Sequence, residues 1–113
     1  MKNLFNIMMI FMLGFVSQAQ EKKDKNARIE IDVKGNCEMC KKRIEKAAYS
    51  IPGVKSAVWN SKLQKLNLIL NEQKSSVNDI QKAVAKVGHD TKDVRATDAS
   101  YKNLHECCAY QRD

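Results

Sequence analysis

Apolar and polar residues alternate strictly from Ala27 to Lys34. Ala27, Ile29, Ile31 and Val33 share one side, with Arg28, Glu30, Asp32 and Lys34 on the other. A period of two marks a half-buried strand. From Cys40 the period changes. Ile44, Ala47, Ala48 and Ile51 recur as one face of a helix, and Pro52-Gly53 ends it. Val54–Trp59 and Lys65–Leu70 predict two further strands around a turn at Asn60–Gln64. Leu66, Leu68 and Leu70 point inward, but Val54, Ala57, Val58 and Trp59 share no single alternation, which leaves open the side Trp59 faces. Ser75 or Ser76 caps a second helix, and Asp79, three residues after Ser76, resembles the partner in a capping box. Val77, Ile80, Val84 and Val87 form its apolar stripe, and Gly88 stops it. A weak last strand is expected within His89–Thr97, around Val94 and Ala96.

This order of strand, helix, strand, strand, helix, strand predicts an α+β fold. The expected form is an antiparallel four-stranded sheet with two helices on one face, an open-faced sandwich. The chain has 113 residues, enough for one ordinary domain. Residues 1–19 read as a signal peptide. Lys2 supplies positive charge, Leu4–Val16 is apolar but shorter than the roughly 20 residues that span a bilayer, and Ser17-Gln18-Ala19 fits a small-x-small cleavage site. Residues 20–27 then form a linker, residues 28–96 the domain and residues 97–113 a cysteine-containing tail. The protein is expected to be exported, periplasmic or secreted, with no stable membrane anchor after cleavage.

Net charge is +7, with Lys41, Lys42, Arg43 and Lys46 on the first helix. Aromatic residues are scarce and do not interleave with the basic ones, so the stacking platforms of nucleic-acid binders are missing. The basic helix reads as a solvated face, or as a surface for an acidic partner or an anionic membrane.

The chemistry gathers where the first alternation stops, at Lys34-Gly35-Asn36-Cys37-Glu38-Met39-Cys40. Cys37 falls in the loop and Cys40 in the first helical turn, a spacing that lets two thiolates close on one ion. A helix N-terminus carries about half a positive charge and spare N–H donors, surroundings that suit thiolates. Thiolates select soft ions such as Cu(I) or Zn(II) over Mg or Ca. Glu38 and Met39 read as solvent-facing or packing residues. A thiol–disulfide redox module without metal is the alternative. A thioredoxin-like enzyme fits poorly, because Pro52 is the single proline and sits between helix and strand; the chain is not expected to be an enzyme.

Residues 28–96 resemble the heavy-metal-associated domain, the ferredoxin-like βαββαβ module of copper chaperones, periplasmic mercury-binding proteins and metal-transporting ATPase tails. The resemblance rests on Cys37-x-x-Cys40 after the first strand, Ile51-Pro52-Gly53-Val54 after the first helix and Gly88-His89-Asp90 after the second. The family loop usually reads Gly-Met-x-Cys-x-x-Cys, and the Met that commonly packs beneath it is missing here. The resemblance implies a carrier, chaperone or scavenger of Cu(I), Zn(II) or Hg(II) that works by thiolate ligand exchange. Its partner would be a metal-transporting ATPase or another thiol-bearing metal protein, and a metal-bridged dimer is compatible. His89 is expected beside the cysteine loop, where similar chaperones place a residue that contacts or tunes the ion.

Cys107 and Cys108 lie outside the resemblance. A domain of this size is roughly 30 Å across, and strand four is expected to end near Ala96 at the edge away from the loop. With a short helix at Ala99–Leu104 advancing only ~1.5 Å per residue, the tail falls short of the loop. Cys107 and Cys108 are therefore expected to form a separate thiol site, joining Cys37 and Cys40 only across a dimer.

Overall fold

The computed structural model describes residues 23–104 and 108–112, so the signal segment, its cleavage site and Cys107 lie outside the described residues. Strands β1 (Ala27–Asp32), β2 (Val54–Asn60) and β3 (Lys65–Leu70) form an antiparallel sheet in the order β1-β3-β2. Helices α1 (Glu38–Tyr49) and α2 (Val77–Lys86) cover one face, and a short α3 (Asp98–Lys102) follows. This is the expected α+β ferredoxin-like arrangement. No described helix is long and apolar enough to cross a membrane.

The core is what the alternation predicts. Ile31 and Val33, Leu66, Leu68 and Leu70 meet Cys40, Ile44, Ala47 and Ala48 of α1 and Ile80 and Val84 of α2. Burial of such side chains stabilises by about 1.5–3 kcal/mol each. The capping box at α2 also forms: the Asp79 amide donates to the Ser76 hydroxyl, and the Ser76 amide donates to the Asp79 carboxylate. In β2 the register shifts between Val54 and Ser56, a bulge that resets the side-chain parity. Ala57 and Trp59 therefore turn inward while Val58 stays exposed.

The fourth strand is reduced to a single antiparallel bridge, Val33 with Thr91. The Lys34 amide donates to the Asp90 carbonyl and the Lys92 amide to the Asp32 carbonyl. Pairing stops there because the Thr91 amide and hydroxyl both turn to the Val94 carbonyl, closing a turn on themselves. The Asp90 carboxylate then accepts from the Ala96 amide at 2.7 Å, so the chain folds back instead of running on to the far edge.

Arg112 completes this reversal. Its Nε and Nη2 each lie 2.9 Å from one Asp90 carboxylate oxygen, and Nη1 reaches Asp98. Burial pushes the Asp90 pKa up, but the Arg112 guanidinium and the Ala96 amide more than offset it, leaving the carboxyl below its ordinary 3.8. A carboxyl lowered on folding contributes stability above its unfolded pKa and loses it as pH falls through the lower folded value. Asp90→Asn should lower the urea midpoint at pH 7, and the gap to the parent protein should narrow below about pH 3.8. Equal midpoints at pH 7 would remove Asp90 from this role.

Candidate metal centre

The cysteine loop is held from beneath and from the side. Trp59 is buried in β2, and its indole Nε1 donates to the Val33 carbonyl at 3.0 Å. Its ring occupies the space under Gly35. A Cβ at position 35 would come within 3.0 Å of two Trp59 ring carbons and 3.2 Å of the Cys40 Cβ. Gly35 stands where the resembling loops carry Met, and the indole of another strand fills the room beneath it. Gln64 fixes the loop laterally. Its backbone carbonyl accepts from the Val33 amide and its side-chain carbonyl from the Gly35 amide at 2.9 Å. It does so from a left-handed conformation, φ 55°, which costs a non-glycine residue conformational energy.

With the loop so placed, Cys37 is the N-cap of α1 and Cys40 lies in its first turn. Their sulfurs are 3.8 Å apart. A third sulfur joins them. Cys108 Sγ lies 3.9 Å from Cys37 Sγ, and all three sulfurs fall within 4.8 Å of one another. Cys40 and Cys108 are fully buried, whereas Cys37 is half-buried. Glu38 and Met39 are exposed.

The expectation of a separate tail site is therefore overturned for Cys108. A short helix does form in the tail, but the distance argument started from the wrong place. Because the chain turns back at Thr91–Val94, α3 begins on the loop's side of the sheet. The tail is then tied down by polar contacts. The Tyr110 hydroxyl donates to the Gly88 carbonyl and accepts from the Asp90 amide, both at 2.8 Å. Burial pushes its pKa up to about 12, so the phenol stays protonated and able to donate. Tyr101 meets Tyr110 edge-on, and its hydroxyl donates to the Tyr110 carbonyl. Asn36 donates to the Ala109 carbonyl, joining the loop directly to the residue after Cys108. Gly88, at φ +107°, has room for no Cβ, since one would sit 2.8 Å from the Ser100 carbonyl oxygen.

His89 is buried near the start of the Val33–Thr91 bridge but does not belong to the sulfur cluster. Nδ1 lies 2.8 Å from the Lys34 carbonyl, which only accepts, so the proton sits on Nδ1. Nε2 is buried with no hydrogen-bond partner among the described residues. Burial pushes the imidazole below its ordinary 6.5, with the Lys34 bond opposing in part. Its ring stacks on Tyr110, 5.7 Å between centroids. His89 is thus a neutral support under the tail.

The heavy-metal-associated domain family matches residues 30–90. The chain belongs to that family. This heavy-metal-associated domain is similar to the copper-exporting P-type ATPase of Bacillus subtilis (strain 168), 36% identical over 66 residues, which make up 58% of this chain and 8% of the ATPase. Its fold matches the N-terminal domain of a potential copper-translocating P-type ATPase from Bacillus subtilis, solved in the Cu(I)-loaded state. That match has a TM-score of 0.56 and 35% identity over 59% of this chain and 85% of that one. It also matches the CopZ metallochaperone, with a TM-score of 0.56 and 27% identity over 57% of this chain and 98% of that one. Cys108 and the tail that carries it lie beyond the residues the family matches.

Sequence reasoning found Cys37 and Cys40 but not their supports. Gln64 gave no signal beyond its place in a turn, and the β2 bulge concealed Trp59. Trp59→Phe should cost about 1–3 kcal/mol, because the Val33 carbonyl loses its indole donor inside the core. Urea unfolding measures it, and a change under ~0.5 kcal/mol, the range of ordinary surface substitutions, would show that the bond contributes nothing.

Proposed function

We propose that this chain binds a soft metal ion, Cu(I) foremost, between Cys37 and Cys40, and carries it as an exported chaperone or scavenger. The observation that carries this reading is the pair of sulfurs 3.8 Å apart on a helix N-terminus, one buried and one half-buried. Membership of the heavy-metal-associated family and likeness to a domain solved with Cu(I) support the choice of ion. Zn(II) and Hg(II) share the same preference for thiolate. The role is binding and carriage rather than catalysis, in the compartment to which residues 1–19 direct the chain.

Transfer would proceed by ligand exchange. An incoming thiolate of the partner bonds to the ion, and one cysteine of this chain leaves as thiolate, so charge and oxidation state are unchanged. The partner would be a metal-transporting ATPase or another protein that presents thiols at its surface. A third sulfur beside the pair favours metal over a redox role, since a disulfide uses two sulfurs and leaves the third without a task.

Cys37→Ser and Cys40→Ser should each weaken Cu(I) binding at least ~100-fold. That exceeds what the hydrogen-bond partners of metal ligands are usually worth, about 10–100-fold. A chromogenic chelator in competition reads the affinity, and circular dichroism should show the fold retained. Parental affinity in both variants would refute the reading.

A further inference from the structure

The structure assigns Cys108 as the third sulfur donor to the ion. This rests on the metal-binding reading of Cys37 and Cys40 and adds to it a closed, self-capped centre. A metal–sulfur bond of about 2.3 Å places the sulfurs of a three-coordinate ion about 4.0 Å apart. For a two-coordinate, linear ion the spacing is about 4.6 Å. The two distances that converge on Cys37 are 3.8 and 3.9 Å, close to the three-coordinate spacing, and the remaining pair lies within 4.8 Å.

The chain also spends several contacts on holding Cys108 there. Asn36 of the loop bonds the Ala109 carbonyl, and Tyr110 bonds both Gly88 and Asp90. Arg112 binds Asp90, Ala96 and Asp98 together, with its guanidinium 4.8 Å from the centre of the Tyr101 ring. These contacts flank a cysteine that is itself fully buried. A carrier that hands its ion on through a two-coordinate site leaves a place for the partner's thiolate. In this chain Cys108 takes that place. When the ion enters, the Cys108 thiol gives its proton to solvent and its sulfur bonds the ion. When the ion leaves, the acceptor's thiolate takes the bond and Cys108 departs as a thiolate. The tail therefore sets how fast the ion is released, and the domain retains its ion until the tail lifts.

The test uses the full chain loaded with Cu(I). X-ray absorption should give three sulfur neighbours in the parent protein and in Cys107→Ser, but two in Cys108→Ser. Cys108→Ser should also release Cu(I) to excess chelator at least ~10-fold faster, since a direct ligand is worth no less than the hydrogen-bond partners of ligands. Arg112→Ala, which keeps every cysteine, should likewise release faster than the parent protein. It decides the matter should Cys108→Ser fold poorly. Two sulfur neighbours in the parent protein, or release from both Cys108→Ser and Arg112→Ala at the parental rate, overturns the assignment. So does loss of the third sulfur in Cys107→Ser alone. In each of those outcomes the loop reading stands as long as Cys37→Ser still abolishes tight binding; if it does not, the loop reading fails as well.

Discussion

The Asp90 carboxylate organises everything around the cysteines. It is nearly buried, yet two guanidinium nitrogens and a backbone amide fill its acceptor sites. A buried charge with such partners is strongly constrained in position, because losing any one leaves an ion without compensation in a poorly solvated place. The constraint has a topological effect. By holding the Ala96 amide after the Thr91–Val94 turn has ended the pairing, Asp90 fixes the reversal that sends the chain back past its own loop. By holding Arg112, it fastens the returning segment. A continued fourth strand would have carried the tail to the opposite edge and left Cys108 far from Cys37.

The loop is supported differently, by shape and neutral hydrogen bonds. Trp59 brings a large rigid ring under Gly35 and one donor to Val33, and Gln64 adds an acceptor to the Gly35 amide. A flexible side chain projecting from the loop itself would have to be ordered each time the loop was. Here the filler belongs to β2, a strand paired into the sheet along its length, so its ordering is met by the sheet. The glycine at position 35, where similar loops carry methionine, is thus matched by an aromatic residue some distance along the chain.

How far this was legible in the sequence depended on whether the information was local. The period-two run Ala27–Lys34, the helical stripe through Ile44 and Ala48, and the Ser76–Asp79 box are local patterns, and each formed the element it predicts. The Cys37-x-x-Cys40 pair was equally plain. Trp59 was obscured because a bulge reverses parity within β2, and a bulge is a property of the pairing rather than of one strand's sequence. Cys108 was misplaced because a strand end was assumed where Thr91 and Val94 form a turn. Gln64 acts through a contact 29 positions away, which no window on the sequence can contain.

The attachment of the tail also separates two kinds of stability. α3 buries none of its residues; beyond the packing of Leu104 and Cys108 on the core, the segment is held by hydroxyl, amide and guanidinium contacts. Segments fixed in this way open locally, at a lower free energy than global unfolding. The sheet and the two long helices can stay intact while the contacts of Tyr101, Tyr110 and Arg112 open and re-form. Melting temperature then reports on the core, and amide hydrogen exchange in the tail reports on access to the sulfurs. The two quantities share the Asp90–Arg112 contact but otherwise rest on different residues, so they need not change in proportion.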